Sequence, residues 1–169
     1  VLNYRTDRFL RGGDHTPFSQ AGFTAVRVCE MYENYRYQHQ DVRKENGKQY
    51  GDLVEFMDFE YLRKNTAVNL ATMANLGRAP HAPEKVGVLT ANLTNKTDLT
   101  WTAPTKGKKP AGYYVLMRGT SSQTWDKKFF VKDTKVTLPY SKDNYFFAIQ
   151  AADELGHTSL PVLPVPVRQ

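Results

Sequence analysis

Apolar residues recur along this chain with two different spacings, and the change falls near residue 80. Phe56, Phe59, Leu62, Val68, Leu70, Met73 and Leu76 recur at three- and four-residue steps, with Ala67, Ala71 and Ala74 between them. That spacing predicts a helix of roughly 25 residues. Asp52 and Glu55 form a capping box at its start, and Gly77 marks its end. Upstream, Pro17–Ala21 reads as a short helix, with Asp14 and Thr16 as candidate N-caps, Pro17 at the first helical position and Gly22 at C′. Phe23–Glu30 reads as an apolar strand. The tyrosine-rich stretch Met31–Gln49 reads as a long loop, of a length that is usually functional or disordered. Its tyrosines argue against disorder.

From Glu84 onward the period becomes two. Seven short strands are predicted: Val86–Ala91, Asp98–Thr102, Ala111–Arg118, Trp125–Val131, Val136–Leu138, Tyr145–Ala152 and Ser159–Val165. Turns rich in Asn, Lys, Gly, Ser and Asp separate them, which is the signature of an all-β sandwich. Pro161, Pro164 and Pro166 restrict the last strand to an edge. Between the two patterns lies Arg78-Ala79-Pro80-His81-Ala82-Pro83. The expected organisation is therefore an α/β segment over 1–78, a Pro-rich linker over 79–83 and a sandwich over 84–169.

Composition adds little that is specific. The 169 residues include ten Tyr and nine Phe, enough to build packed cores. The net charge of +6 is uneven: residues 1–83 hold 11 basic and 10 acidic side chains, and residues 84–169 hold 12 and 7. Lys106, Lys108 and Lys109 fall in one predicted loop, read as a solvated hairpin tip. No base-reading motif accompanies them, so a nucleic-acid partner is not expected. No run reaches the ~18 apolar residues of a membrane span. Cys29 is the sole cysteine, read as a buried core thiol, so no internal disulfide forms.

The candidate chemistry lies before residue 44. Gly12-Gly13 frees the backbone ahead of Asp14-His15, and the element order brings Asp14, His15, Glu30 and His39 toward one sheet edge. Open α/β sheets bind ligands at such an edge. Asp153-Glu154 near His157 is a second acidic group, read as an exposed turn and not as a metal site.

The stretches GGDHTPFSQAGFTAVRV and ENYRYQHQDVRKENGKQYGDLVEFMDFEYL resemble the C-terminal third of the catalytic domain of the family-28 metallopeptidases. These are the co-catalytic dizinc aminopeptidases, with glutaminyl cyclases and glutamate carboxypeptidases among them. The match covers roughly residues 3–78. It implies a mixed-sheet zinc-aminopeptidase domain, two zinc ions and a peptide substrate. It implies that His39 is a metal ligand, with Asp41 behind it orienting the imidazole. Asp14 and His15 would line the site, and Arg11 would hold the oxyanion, although it stands one residue further from the His than the family pattern has it. Tyr32, Tyr35 and Tyr37 would form a pocket wall. The family has a Tyr directly before the ligand His in some members; here that place is Gln38. The family's other ligands and its general base lie upstream of the DHxPF segment. The expectation is thus the C-terminal fragment of a longer, secreted or periplasmic enzyme, inactive by itself.

The second half is similar to fibronectin type III modules over residues 84–167. The resemblance rests on Trp101 in the second strand, Pro110-Ala111-Gly112-Tyr113-Tyr114-Val115 in the third, and Tyr145 as a candidate tyrosine corner. It implies a spacer, or an accessory that contacts carbohydrate or protein. Two further readings remain open at this point. One is a non-catalytic binding or adhesion protein that works through the sandwich. The other is acyl transfer of the glutaminyl-cyclase kind.

Overall fold

A computed structural model describes residues 12–168. The chain divides into two compact units, the first running to Leu70 and the second beginning at Ala71.

The first unit opens with α1, His15–Gln20. It continues through a hairpin of β1, Arg43–Glu45, and β2, Lys48–Tyr50, paired antiparallel. A single 3-10 turn spans Val54–Phe56, and α2 begins at Phe59 and runs to Arg78. Four expectations are corrected here. Phe23–Glu30 is not a strand: no described segment pairs with it, and without a neighbour its backbone makes no ladder. Cys29 within it is exposed, not a core thiol, because no layer covers that stretch. The long helix starts later than predicted. Met57 is extended, with ψ of 123°, which breaks the run begun at Asp52. Asp58 is the effective cap instead: its Oδ1 accepts the N–H of Tyr61 at 2.9 Å. Gly77 stays inside the helix, whose last turn closes with Ala79 N–H donating to Asn75 at 3.0 Å.

The hairpin was concealed inside the predicted loop. Asn46-Gly47 has φ of 49° and 75°, the two left-handed residues of a type I′ turn, and Asn-Gly is the dipeptide that favours it. Among described residues up to Leu70, only Gly51 is buried. Leu70 of α2 is 66% exposed and Val26 78%, so the apolar stripe that makes α2 amphipathic is left uncovered.

The second unit is a two-layer β sandwich. One sheet has the order β7-β4-β3-β9 and the other β6-β5-β8. Their ranges are β3 Glu84–Leu89, β4 Thr97–Thr102, β5 Gly112–Gly119, β6 Lys127–Val131, β7 Lys135–Leu138, β8 Tyr145–Ala152 and β9 Val165–Val167. The strands alternate as the period-two pattern requires, sending Leu99 and Trp101 from one sheet against Tyr113, Val115, Met117, Phe147 and Ile149 from the other. Trp101 and Tyr113 meet edge to face at 5.4 Å. Tyr145 enters through its ring, T-shaped on Tyr140 at 5.6 Å.

The last strand is split by its prolines. Its first part bridges to β8 at Thr158 and Val162, and its second part, β9, pairs in parallel with β3. Ser159 repairs the ladder where pairing fails: its Oγ accepts from Ala151 N–H at 3.0 Å and donates to the Leu160 carbonyl at 3.0 Å. β9 is an edge strand, as three prolines demand. At the entry to β3, Lys85 takes φ of 50° in a one-residue bulge. Glu84 there accepts the backbone N–H and the hydroxyl of Thr105 at 2.9 and 2.8 Å. Those two bonds, with Lys85 and Lys106 nearby, hold its carboxyl below the usual range against the opposing effect of burial.

Candidate active-site segment

The Gly12-Gly13-Asp14-His15 turn is held by its own backbone. Thr16 N–H donates to the Gly13 carbonyl at 2.9 Å, and Gly13 N–H donates to Thr16 Oγ1 at 3.3 Å. Asp14 stands at the N-cap of α1 but makes no capping bond, so its exposed carboxylate is available to solvent. Gly13 lets the turn pass close to two side chains. A Cβ there would come within 3.0 Å of His15 Nδ1 and 3.2 Å of Arg27 Cδ. His15 is half-buried, and its Nδ1 is buried with no hydrogen-bond partner among the described residues.

Arg27 organises the segment, a role the sequence reading missed. Its guanidinium donates to the Gly12 carbonyl at 3.0 Å and to Glu33 Oε1 at 3.2 Å. The Glu33 side chain is only 8% exposed, and Gln38 Nε2 donates to the same oxygen at 3.4 Å. One buried carboxylate thus ties the DHxPF turn to the loop that carries His39. Only spatial proximity could reveal this, because an Arg in an apolar run gives no signal of its partner.

Tyr37 stacks on Phe56 with centroids 3.9 Å apart and planes 9° from parallel. With Tyr32, Glu30, Glu33 and Tyr61 these rings line an open cavity of about 890 Å³. Cys29 also lines it. Tyr32 and Tyr35 are 83% and 55% exposed, and Tyr37 is the half-buried anchor. Tyr35 is not among the lining residues.

His39 sits at the crown of the following turn, exposed, with φ of 54°. The base of this loop is closed by Gly51, whose N–H donates to the Arg36 carbonyl at 3.0 Å. Gly51 has φ of 95°, and a Cβ there would lie 2.7 Å from Val42 Cα. Asp41 is exposed, and its carbonyl accepts from Arg43 at 3.5 Å. Arg11 lies outside the described residues.

Among the described residues, no group of three or more His, Cys, Asp or Glu side chains is placed to hold a metal ion. One imidazole nitrogen is orphaned and buried (His15) and another imidazole is exposed (His39), but neither is joined by a ligand set. The described residues therefore do not make a complete zinc site among themselves. Asp153 and His157 pair at 2.8 Å in the sandwich, where Asp153 also accepts the N–H groups of Leu155 and His157. This is a structured turn, with no third ligand beside it among the described residues. No helix among the described residues is long and apolar enough to cross a membrane.

The sandwich is similar to a solved Fn3-like protein from Clostridium thermocellum, at 18% identity and a TM-score of 0.43 over 54% of this chain and 95% of that one. It is likewise similar to the FN3 domain of human collagen XX, at 18% identity and a TM-score of 0.39 over 49% of this chain and 88% of that one. Nearly the whole chain, in turn, is similar to proteins named probable zinc metalloproteases. That of Leptosphaeria maculans is 46% identical over 98% of this chain and 38% of its own length. Those of Pyrenophora tritici-repentis and Phaeosphaeria nodorum are 44% and 42% identical over 98% of this chain and 34% of their own lengths. The chain thus spans little more than a third of these relatives. No family model matches it.

Proposed function

We propose that this chain is part of a zinc-dependent exopeptidase of the aminopeptidase kind, secreted, with a fibronectin type III-like module at its C-terminal end. The observation that carries the reading is the 46% identity to a probable zinc metalloprotease across 98% of this chain, site segment and sandwich together. The strand orders of the sandwich support the assignment of the module.

In this reading His39 contributes one imidazole to a two-zinc centre, and Asp41 orients that ring. The remaining ligands come from residues outside the described ones. Asp14 and His15 belong to the turn held by Arg27 and would support substrate polar groups, and Arg11 would help hold the oxyanion. Tyr32 and Tyr37 line the cavity in which the peptide would lie, and the exposed Tyr35 does not. The 169-residue chain by itself is expected to be inactive, because the family resemblance assigns the other ligands and the general base to residues beyond the segment it matches. A glutaminyl-cyclase-like acyl transfer would use the same residues and differ in product.

The test uses the complete protein and measures zinc per chain beside turnover of aminoacyl-nitroanilides. His39→Ala is expected to lose one zinc and orders of magnitude in turnover, with the sandwich still folded. His15→Ala is expected to keep more zinc, and His81→Ala and His157→Ala to behave as the parent. Loss of zinc in His15→Ala but not in His39→Ala would move the ligand assignment to the orphaned Nδ1 of His15. Full turnover without zinc would end the metallopeptidase reading. An N-terminally blocked peptide cleaved as fast as a free one would end the aminopeptidase reading.

A further inference from the structure

The outward face of the sheet β6-β5-β8 carries rings and two cations, with the exposed Asp126 carboxylate at one end, where it accepts the Gly119 N–H at 2.8 Å. Tyr113, Val115 and Met117 point into the core, so Tyr114, Leu116 and Arg118 point away from it. The register sets Phe130 and Lys128 of β6 beside Tyr114 and Leu116, and Gln150, Ala148 and Phe146 of β8 on the other flank. Phe130 and Phe146 remain 48% and 45% exposed. Phe130 meets Tyr114 edge-on at 5.2 Å and lies across Gly112, where a Cβ would come within 2.4 Å of the ring.

Both cations on this face rest on rings. Lys128 Nζ is 3.6 Å from the Tyr114 centroid, and the Arg118 guanidinium is 4.6 Å from Phe146 and 5.6 Å from Trp125. Arg118 also donates to the Ser122 carbonyl. Among the described residues neither cation is ion-paired. A ring holds a cation in place without neutralising it, so each keeps its full charge and outward N–H donors.

We infer that this face binds an extended acidic segment of another protein, one that alternates carboxylates with apolar side chains. The carboxylates would take the N–H groups of Arg118 and Lys128, and the apolar side chains would rest on the exposed rings of Phe130 and Phe146, since Leu116 between them is itself buried. The fit follows from charge complementarity and from which surfaces are open. Sugars and nucleobases bind aromatic residues through ring faces, and here cations already cover a face of Tyr114 and of Phe146. β6 is moreover an edge strand, and an extended peptide has a backbone edge to follow as well as a face. The inference concerns the sandwich only and stands apart from the zinc reading.

The test is fluorescence anisotropy with the full 169-residue chain and a labelled peptide alternating Glu and Leu. Saturable binding is expected at low salt, weakening as salt rises. A matching peptide alternating Lys and Leu should not bind. Lys128→Glu should weaken binding about tenfold or more, through the lost pair and the added repulsion. Arg118→Gln should act in the same direction. If Arg118→Gln disturbs the hairpin through its bond to Ser122, Lys128→Glu and amide shift mapping on the isotope-labelled parent decide. The shifts should cluster at Tyr114, Leu116, Arg118, Lys128 and Phe130. The inference is overturned by absence of binding, by shifts confined to the Lys106–Lys109 loop, or by equal affinity of Lys128→Glu. It is also overturned if an oligouronate or a single-stranded oligonucleotide binds as tightly as the peptide.

Discussion

The side-chain amide of Asn75 donates to the carbonyl oxygen of Thr158 across 3.3 Å, tying the last turns of α2 to the broken final strand of the sandwich. Pro80 and Pro83 are buried in the same unit. The end of the helix and the proline segment are therefore parts of the second unit and not a bare tether. Residues 84–169 expressed alone should fold, since Trp101 and Tyr113 lie at the centre of their own core. Residues 71–169 should be more stable by on the order of 1–2 kcal/mol, from one hydrogen bond and two buried prolines. Denaturant melts of the two polypeptides check this; equal midpoints would show that the helix end contributes nothing.

Gly112→Ala should destabilise the sandwich by about 1–3 kcal/mol. The new methyl would stand 2.4 Å from Phe130 Cζ and 2.9 Å from the Val131 carbonyl oxygen. The ring can swing away, but the backbone oxygen cannot without breaking the β5–β6 ladder. Adding Phe130→Ala should relieve only the ring contact, so thermal unfolding of the double variant should recover part of the loss and not all of it.

Asp153 supplies the pH dependence of the second unit. Burial pushes its carboxyl up, but the side chain, backbone N–H and charge of His157, together with the Leu155 N–H, outweigh burial and hold it below the usual carboxylate range. A depressed carboxylate stabilises the fold above its unfolded pKa of about 3.9, and that contribution is lost as pH falls through the folded value. Glu84 acts in the same sense. Stability should therefore be flat near neutrality and fall below about pH 4. Asp153→Asn should be less stable at pH 7 and show a shallower acid slope. An unchanged slope in equilibrium unfolding from pH 2 to 6 would remove Asp153 from this role.

Residues 1–80 alone should lack a cooperative unfolding transition. α2 buries none of its residues, and Phe23–Glu30 has no described strand beside it. Calorimetry and dye binding to exposed apolar surface report on this directly. A sharp heat-absorption peak would contradict it.

The 169-residue chain, dialysed against zinc and then against buffer, should retain substoichiometric metal and leave aminoacyl-nitroanilides intact. Its described residues bring no three ligands together. Stoichiometric zinc that survives dialysis, with turnover, would show that the chain forms a site by itself.

Much of the second unit was legible because alternation carries its own physics. A strand with one buried face must alternate, and Leu99, Trp101, Tyr113, Val115 and Ile149 were inward on that ground alone. In the first unit the same reasoning misplaced Phe23–Glu30 and Cys29. An apolar run states that a side chain prefers burial, but not that a partner is present to bury it. The hairpin was legible and overlooked: Asn46-Gly47 between two short polar strands is a turn signal, but Arg43-Lys44-Glu45 has no apolar face to announce a strand. Asp52 was the expected cap of the long helix, and the extended backbone at Met57 moves that role to Asp58.

The sequence by itself determined the two periodicities, the proline-restricted last strand, the DHxPF segment and the positions of His15 and His39, because each is local or is a short motif. The tertiary structure alone decided the rest. It joined Arg27 to both Gly12 and Glu33, set Gly13 against His15, closed the His39 loop through Gly51, split the final strand between two sheets, and placed Lys128 and Arg118 on rings instead of carboxylates. Gly12 and Arg27 lie 15 positions apart in the chain, and Thr90 and Val167, joined across the same β3–β9 edge, lie 77 apart. The energy of such contacts depends on distance in space, a quantity that linear order does not carry.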